Sequence, residues 1–191
     1  MFLLDEKSLR KRKALASSLI HFSRWPDPSG FFAFMNTYEI RHDDILISDD
    51  RALLDRALIH RFLSERTYWS PSVPREIVER AIDHSLCFGV YRAGAQIGFA
   101  RVVTDFATFA WLADVFILEE ERGKGLSKKL VAAIQAHPRL QGLRRFMLGT
   151  RDAHGLYAQF GFEPIKYPER FMEIAKSQFP KTIDGNAEAK V

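Results

Sequence analysis

One cysteine stands in 191 residues, so no disulfide framework can form within the chain. Cys87 lies between Leu86 and Phe88 and reads as a core residue rather than a reactive thiol. Six histidines are scattered, and none joins a cysteine at zinc-binding spacing, so no metal is expected. No apolar run approaches the ~18 residues of a membrane-spanning helix, so no membrane partner is expected. The N-terminal region lacks the apolar stretch and cleavage site of a secretory signal. With one thiol, a reducing, cytoplasmic setting is the expectation.

Two phosphate motifs are missing as well. The dinucleotide fingerprint needs a third glycine, and after Gly123 and Gly125 that place holds Lys128. No segment fits the Walker loop. Charge of one sign is also scarce. Net charge is +4, but residues 1–34 carry six basic against three acidic side chains, which leaves the remainder nearly neutral. That argues against a nucleic-acid surface spread over the domain.

What is present suits one folded domain: 47% apolar residues, sixteen of them Phe. Residues 1–34 differ from the rest, with a basic cluster at Arg10–Lys13 and a loop-like Trp25–Gly30. They read as an extension ahead of a natural start at Met35, with a short helix possible over 8–20. The domain is expected over 35–174 and a polar tail over 175–191.

The pattern predicts a strand at 37–41, with Ile45–Ile47 extending it, and a helix over 51–63 with Leu54, Leu58 and Phe62 inward. A second helix, 74–84, begins at Pro74 and pairs Glu76 with Arg80. Strands at 87–91 and 96–104 form a hairpin about 92–95. A strand at 109–118 leads into a helix over 125–136, whose stripe is Leu126, Leu130, Val131 and Ile134. A strand at 145–150, a short helix at 153–160 and strands at 161–165 and 170–174 complete a mixed α/β (α+β) chain. Residues 113–150 predict one parallel strand-helix-strand crossover in a mostly antiparallel sheet.

The chain turns on the stretch from Val115 through Glu119-Glu-Glu121 and Arg122-Gly-Lys-Gly125 to Leu130. An apolar strand ends in acids, a basic glycine loop follows, and a helix starts. A helix start presents unpaired N–H groups and partial positive charge. Glycines let an anion approach that backbone, and Arg122 and Lys124 add charge. The acids read as a solvated turn or as partners for the basic loop.

Arg122-Gly-Lys-Gly125-Leu-Ser127 resembles the acyl-CoA pyrophosphate motif of the GNAT superfamily of N-acetyltransferases, with Ser127 departing from the small apolar residue at the last position. Thr150-Arg-Asp-Ala153-His-Gly-Leu156-Tyr157-Ala-Gln-Phe-Gly161-Phe162 resembles that superfamily's Ala-x-x-Leu-Tyr-x-x-x-Gly-Phe segment. The resemblance implies a central twisted, mostly antiparallel sheet with helices on both faces. It implies acetyl transfer from acetyl-CoA to a primary amine of a small molecule or peptide, by direct attack. The pyrophosphate cradle would be Arg122, Gly123, Lys124, Gly125, Leu126 and Ser127, with Thr150 also on the cofactor. Backbone of Val115 and Ile117 would bind the pantetheine arm where that strand splays from its parallel neighbour at a bulge.

By the same resemblance Tyr157 is the proton donor to the leaving thiolate. Asp114 is the candidate proton acceptor; binding the substrate amine and a structural hydrogen bond are its other open roles. His154 is a second, weaker candidate. Tyr68 and Trp69 either wall the acceptor pocket or anchor their loop to the core, and Trp111 raises the same question. Monomer and homodimer are both compatible with the chain. The rival readings are an acyl-CoA-binding sensor without turnover, a nucleic-acid arm over 1–34, and an enzyme using a longer acyl donor.

Overall fold

A computed structural model describes residues 37–176 of the chain. The extension 1–34, the helix over 8–20 and the tail from 177 onward lie outside the described residues. Six strands form one sheet in sequence order: β1 (Glu39–His42), β2 (Ile45–Ser48), β3 (Leu86–Arg92), β4 (Ala95–Thr104), β5 (Phe109–Ile117) and β6 (Arg145–Leu148). Neighbours are antiparallel except β5 and β6, which run parallel. Helices α1 (Arg56–Arg66), α2 (Arg75–Asp83), α3 (Leu126–Ala136) and α4 (His154–Ala158) complete the frame. No helix among the described residues is long and apolar enough to cross a membrane.

Two cores sandwich the sheet. Ile59, Phe62 and Leu63 of α1 and Val78 and Ile82 of α2 pack with Cys87, Phe99 and Phe116. Phe62 stacks on Phe116 with ring centroids 3.9 Å apart. On the other face, Leu126, Leu130, Val131 and Ile134 of α3 meet Phe88, Val90, Ala100, Val102, Ala110, Leu112 and Ile117. The predicted stripe of α3 is therefore the buried one, and helices cover both faces. His137, which ends α3, is buried and its Nε2 lies 3.1 Å from the Asp49 carboxylate beyond β2.

Four expectations need correction. Residues 37–47 are not one extended strand: the chain reverses at Asp43-Asp44, with Asp43 left-handed (φ 52°), and β1 pairs with β2. The first helix starts later than 51. Asp50 caps only a 3₁₀ turn over Arg51–Leu53, and the Asp55 carboxylate accepts from the Leu58 N–H to open α1. Arg75 pairs with Glu79 on α2, where Glu76–Arg80 was expected. Residues 161–165 and 170–174 form no strands, and Pro168–Arg170 is a 3₁₀ turn. Pro164 withholds a ladder donor in the first segment, while Met172 and Ile174 in the second are almost wholly exposed, so no buried face holds that segment in the sheet.

Candidate functional site

The site begins where β5 breaks its own alternation. Gly98 pairs with Ile117, Phe99 with Phe116, and Arg101 with Ala113. Asp114 and Val115 thus stand opposite Ala100 alone, which is a β-bulge. Asp114 is left-handed there, at φ 53°. The bulge flips the strand's parity: Ala110 and Leu112 face α3 before it, and Ile117 after it.

The pairing of β5 with β6 stops at the same place. It runs from Phe109 with Arg145 to Leu112 with Leu148 and goes no further. β6 ends at Leu148 and the chain goes on to α4, while β5 continues to Ile117. The Leu118 N–H donates to the Ile97 carbonyl at 2.9 Å, so by alternation the backbone groups of Val115 and Ile117 face away from β4, into the opening. The expected bulge is present, and the β5–β6 ladder ends just ahead of it. Arg122 Nε donates to the Ile117 carbonyl at 3.1 Å and so occupies one of these groups.

At the end of β5 the cradle forms around two left-handed glycines, Gly123 (φ 78°) and Gly125 (φ 74°). A β-carbon at either would meet no atom within 4 Å, so backbone conformation and not crowding requires glycine. Gly125 is the N-cap of α3 and offers no side-chain cap. Its carbonyl accepts from Lys128 and Lys129, and the N–H groups of Leu126 and Ser127 precede that ladder. Arg122 through Gly125 are exposed, Leu126 is buried and Ser127 is half-buried. Glu121 partners the basic loop, meeting Lys124 at 2.9 Å and also Arg92. Arg92 in turn holds Asp44 at 2.7 Å, which ties the cradle to the β1–β2 turn.

Tyr157 projects from α4 into the α3-side core and is 8% exposed. Its ring meets Phe162 edge-on at 5.9 Å. Burial raises the phenol's pKa, with smaller contributions from Tyr68 and Asp152. Thr150 accepts from the Ala153 N–H at 3.0 Å and so turns the chain into α4. Thr150, His154 and Tyr157 share the wall of a pocket of about 320 Å³ with Phe146, Leu148 and Phe162.

On the opposite face, Tyr68 lies in the α1–α2 connection. Its hydroxyl accepts from the Arg151 N–H at 3.1 Å, and the Arg151 guanidinium sits 3.7 Å from its ring centre. Trp69 packs edge-on against Tyr68, and both are exposed by more than 40%. The Tyr68 loop is thus docked on the β6–α4 connection, close to the helix that carries Tyr157. Trp111 is also exposed, and its indole borders Gly149 at the end of β6.

Asp114 has a partner the sequence reading missed. Arg101 Nε donates to its carboxylate at 2.7 Å, and Arg101 also reaches Ser85 Oγ at 3.2 Å. Both side chains are largely buried, 18% and 12% exposed. They border a hollow of about 80 Å³ beneath α1 and α2, walled by Leu63, Val73, Ile77 and Phe99. A lone arginine in an apolar strand beside a lone aspartate was the available signal.

The acetyltransferase (GNAT) family matches residues 56–162, the segment that contains the bulge, the cradle and α4. The chain belongs to this family. A candidate GNAT acetyltransferase from Xanthomonas campestris pv. campestris, solved as a crystal structure, is 55% identical. The match covers 72% of this chain and 95% of that one, with a TM-score of 0.69. A candidate acetyltransferase from Gibberella zeae is 33% identical over 138 residues, 61% of this chain and 77% of its own length. A GNAT acetyltransferase from Elizabethkingia anophelis, solved with acetyl-CoA bound, shares the fold at 14% identity and a TM-score of 0.50, covering 71% of this chain and 91% of that one. As a GNAT member, this chain is an acyltransferase of the acyl-CoA-dependent class.

Proposed function

We propose that this GNAT member moves an acetyl group from acetyl-CoA to a primary amine of a small molecule or peptide. The observation that carries the reading is the parting of β5 from β6 after Leu112, in a wedge that ends at the glycine cradle. The wedge offers unpaired strand backbone to an extended thioester arm, and the cradle offers helix N–H groups to a diphosphate.

In this reading Gly123, Gly125, Leu126 and Ser127 hold the diphosphate through backbone, with Arg122 and Lys124 adding charge. Lys124 must then leave Glu121, and Arg122 already braces the end of β5. Val115 and Ile117 pair with the arm, and one N–H of that pair polarises the thioester carbonyl. Such a donor is worth about 3–4 kcal/mol of transition-state stabilisation.

The acceptor amine, deprotonated, attacks that carbonyl. A carbon–nitrogen bond forms, the carbon–sulfur bond breaks, the thiolate takes a proton from the Tyr157 phenol, and the proton shed by the newly acylated nitrogen returns through water to the phenolate. Positioned proton transfer contributes about 10²–10⁴-fold. A lysine-like amine has a pKa of ~10.4 and must first lose its proton. Asp114 stands at the bulge, but Arg101 already occupies its carboxylate, so water takes this proton. Tyr68 and Trp69 wall the acceptor side, where Arg151 holds Tyr68 in place.

The test is free-thiol release from acetyl-CoA over a panel of primary amines. Release that needs both acetyl-CoA and an amine is the expected result. Tight CoA binding with no amine-dependent release across the panel would favour a sensor without turnover.

A further inference from the structure

Asp114 adopts a left-handed backbone without being glycine, at the one place where β5 has two residues against one on β4. A β-carbon strains that conformation, and aspartate is among the few residues that enter it through local side-chain contacts. Here the contact comes from the neighbouring strand. Arg101 Nε holds the Asp114 carboxylate at 2.7 Å, and Arg101 is itself steadied at 3.2 Å by Ser85 Oγ. The Ser85 carbonyl in turn receives Arg51 Nη2 at 2.6 Å, so the arm of contacts runs back to the turn ahead of α1.

The carboxylate points to the α1–α2 side, where it borders the small hollow. The backbone of Val115, the next residue, faces the wedge on the β6 side. The side chain and the slot are therefore on different sides of one strand. We infer that Arg101 is a positioning residue: by gripping Asp114 it holds the left-handed turn of the bulge, and so fixes the angle at which β5 leaves β6 and presents Val115 to the thioester arm. The consequence for the arm rests on the acetyl-CoA reading. The grip on the bulge does not.

Three variants separate conformation from chemistry: Arg101→Met, Asp114→Ala and Asp114→Gly. The last two remove the carboxylate from Arg101 alike, leaving its Ser85 contact, and differ in tolerance of φ 53°. Two readouts are made on each. Amide hydrogen exchange over 109–118 is measured without ligand, and CoA affinity and amine-dependent thiol release are measured on the same protein. Arg101→Met and Asp114→Ala are expected to speed exchange in that segment and to raise the CoA dissociation constant about 10-fold, since small misplacements of a site are costly. Asp114→Gly is expected to restore both to within about 3-fold of wild type, with kcat and its pH profile retained.

Wild-type exchange and affinity in Arg101→Met would overturn the inference. So would equal losses in Asp114→Ala and Asp114→Gly. An Asp114→Gly protein that binds CoA normally but loses turnover about 100-fold would make the carboxylate the proton acceptor instead. If Arg101→Met does not fold, the Ala–Gly contrast decides alone. If wild type binds no CoA, the acetyl-transfer reading fails, and the exchange arm still decides the grip.

Discussion

Replacing Gly125 separates what the cradle costs the fold from what it offers a ligand. Gly125 sits at φ 74°, ψ 8° with open space where a side chain would go. Alanine there meets no clash, so its penalty is the left-handed conformation alone, about 1–2 kcal/mol. At 2–4 °C per kcal/mol for a chain of this size, Gly125→Ala should lower Tm by about 2–8 °C. Glutamate has the same backbone penalty, but a carboxylate at a helix N-terminus returns about 0.3–1 kcal/mol. Gly125→Glu should therefore be no less stable than Gly125→Ala.

Towards CoA the two variants should diverge. Like charges about 4 Å apart repel by ~1 kcal/mol in water and ~4 kcal/mol near a protein surface. Affinity in Gly125→Glu should then fall about 10-fold or more. In a melt with CoA at 100 times the wild-type Kd, wild type gains about 2.7 kcal/mol and a 10-fold weaker variant about 1.4 kcal/mol. The CoA-induced rise in Tm is accordingly halved or lost in Gly125→Glu and kept in Gly125→Ala. An equal rise in both would refute the cradle.

Tyr157→Phe should lower amine-dependent thiol release by about 10²–10⁴-fold while CoA affinity stays within about 2-fold. Burial raises this phenol's pKa, so the wild-type acid stays protonated past its ordinary value of ~10, and turnover supported by it is lost only as pH rises through the raised value. A pH–rate profile on both proteins checks this; an unchanged rate in the variant removes Tyr157 from proton donation. Cys87 is 1% exposed and burial pushes its thiol up to about 12. A disulfide reagent at pH 8 should therefore react only after denaturant unfolds the chain, and immediate stoichiometric labelling would contradict its burial. The same group contributes stability below the unfolded thiol's pKa of ~8.5, and that contribution is lost as pH rises from there toward the folded value.

Much of this architecture was legible because its periods are strong. The stripe of α3 repeats at helical spacing with a proline beyond it, and Arg92–Ala95 carries hairpin turn residues. Turns without such signals were harder. Asp43-Asp44 reverses the chain with no glycine, and the left-handed turn falls to an aspartate. Around α1, Asp50 and Asp55 both cap, and the stripe through Leu54, Leu58 and Phe62 mixes the residue ahead of the helix with its real inner face, Ile59, Phe62 and Leu63. At the site, the two motifs fell on the glycine loop ahead of α3 and on α4, and the solitary acid of β5 demanded a partner. Arg101 stayed hidden because simple hairpin register sets it opposite Ala113, and only the bulge delivers Asp114 to its guanidinium.

Remove one residue at 114 on paper and β5 becomes regular. Val115 falls opposite Ala100, while Phe116 and Ile117 keep their present partners on β4. Leu112 and Ile117 then share a face in unbroken alternation, with Phe116 on the other, which are the faces they already occupy. Neither apolar core would need a new side chain, although Arg101 would lose its carboxylate, and the straightened strand is free to pair further along its parallel neighbour. On the acetyl-CoA reading, a sealed scaffold and a slotted catalyst are thus one codon apart. A shortened chain that folds, less stably for an unpaired Arg101, and catalyses nothing is the form that inactivation by deletion should take here.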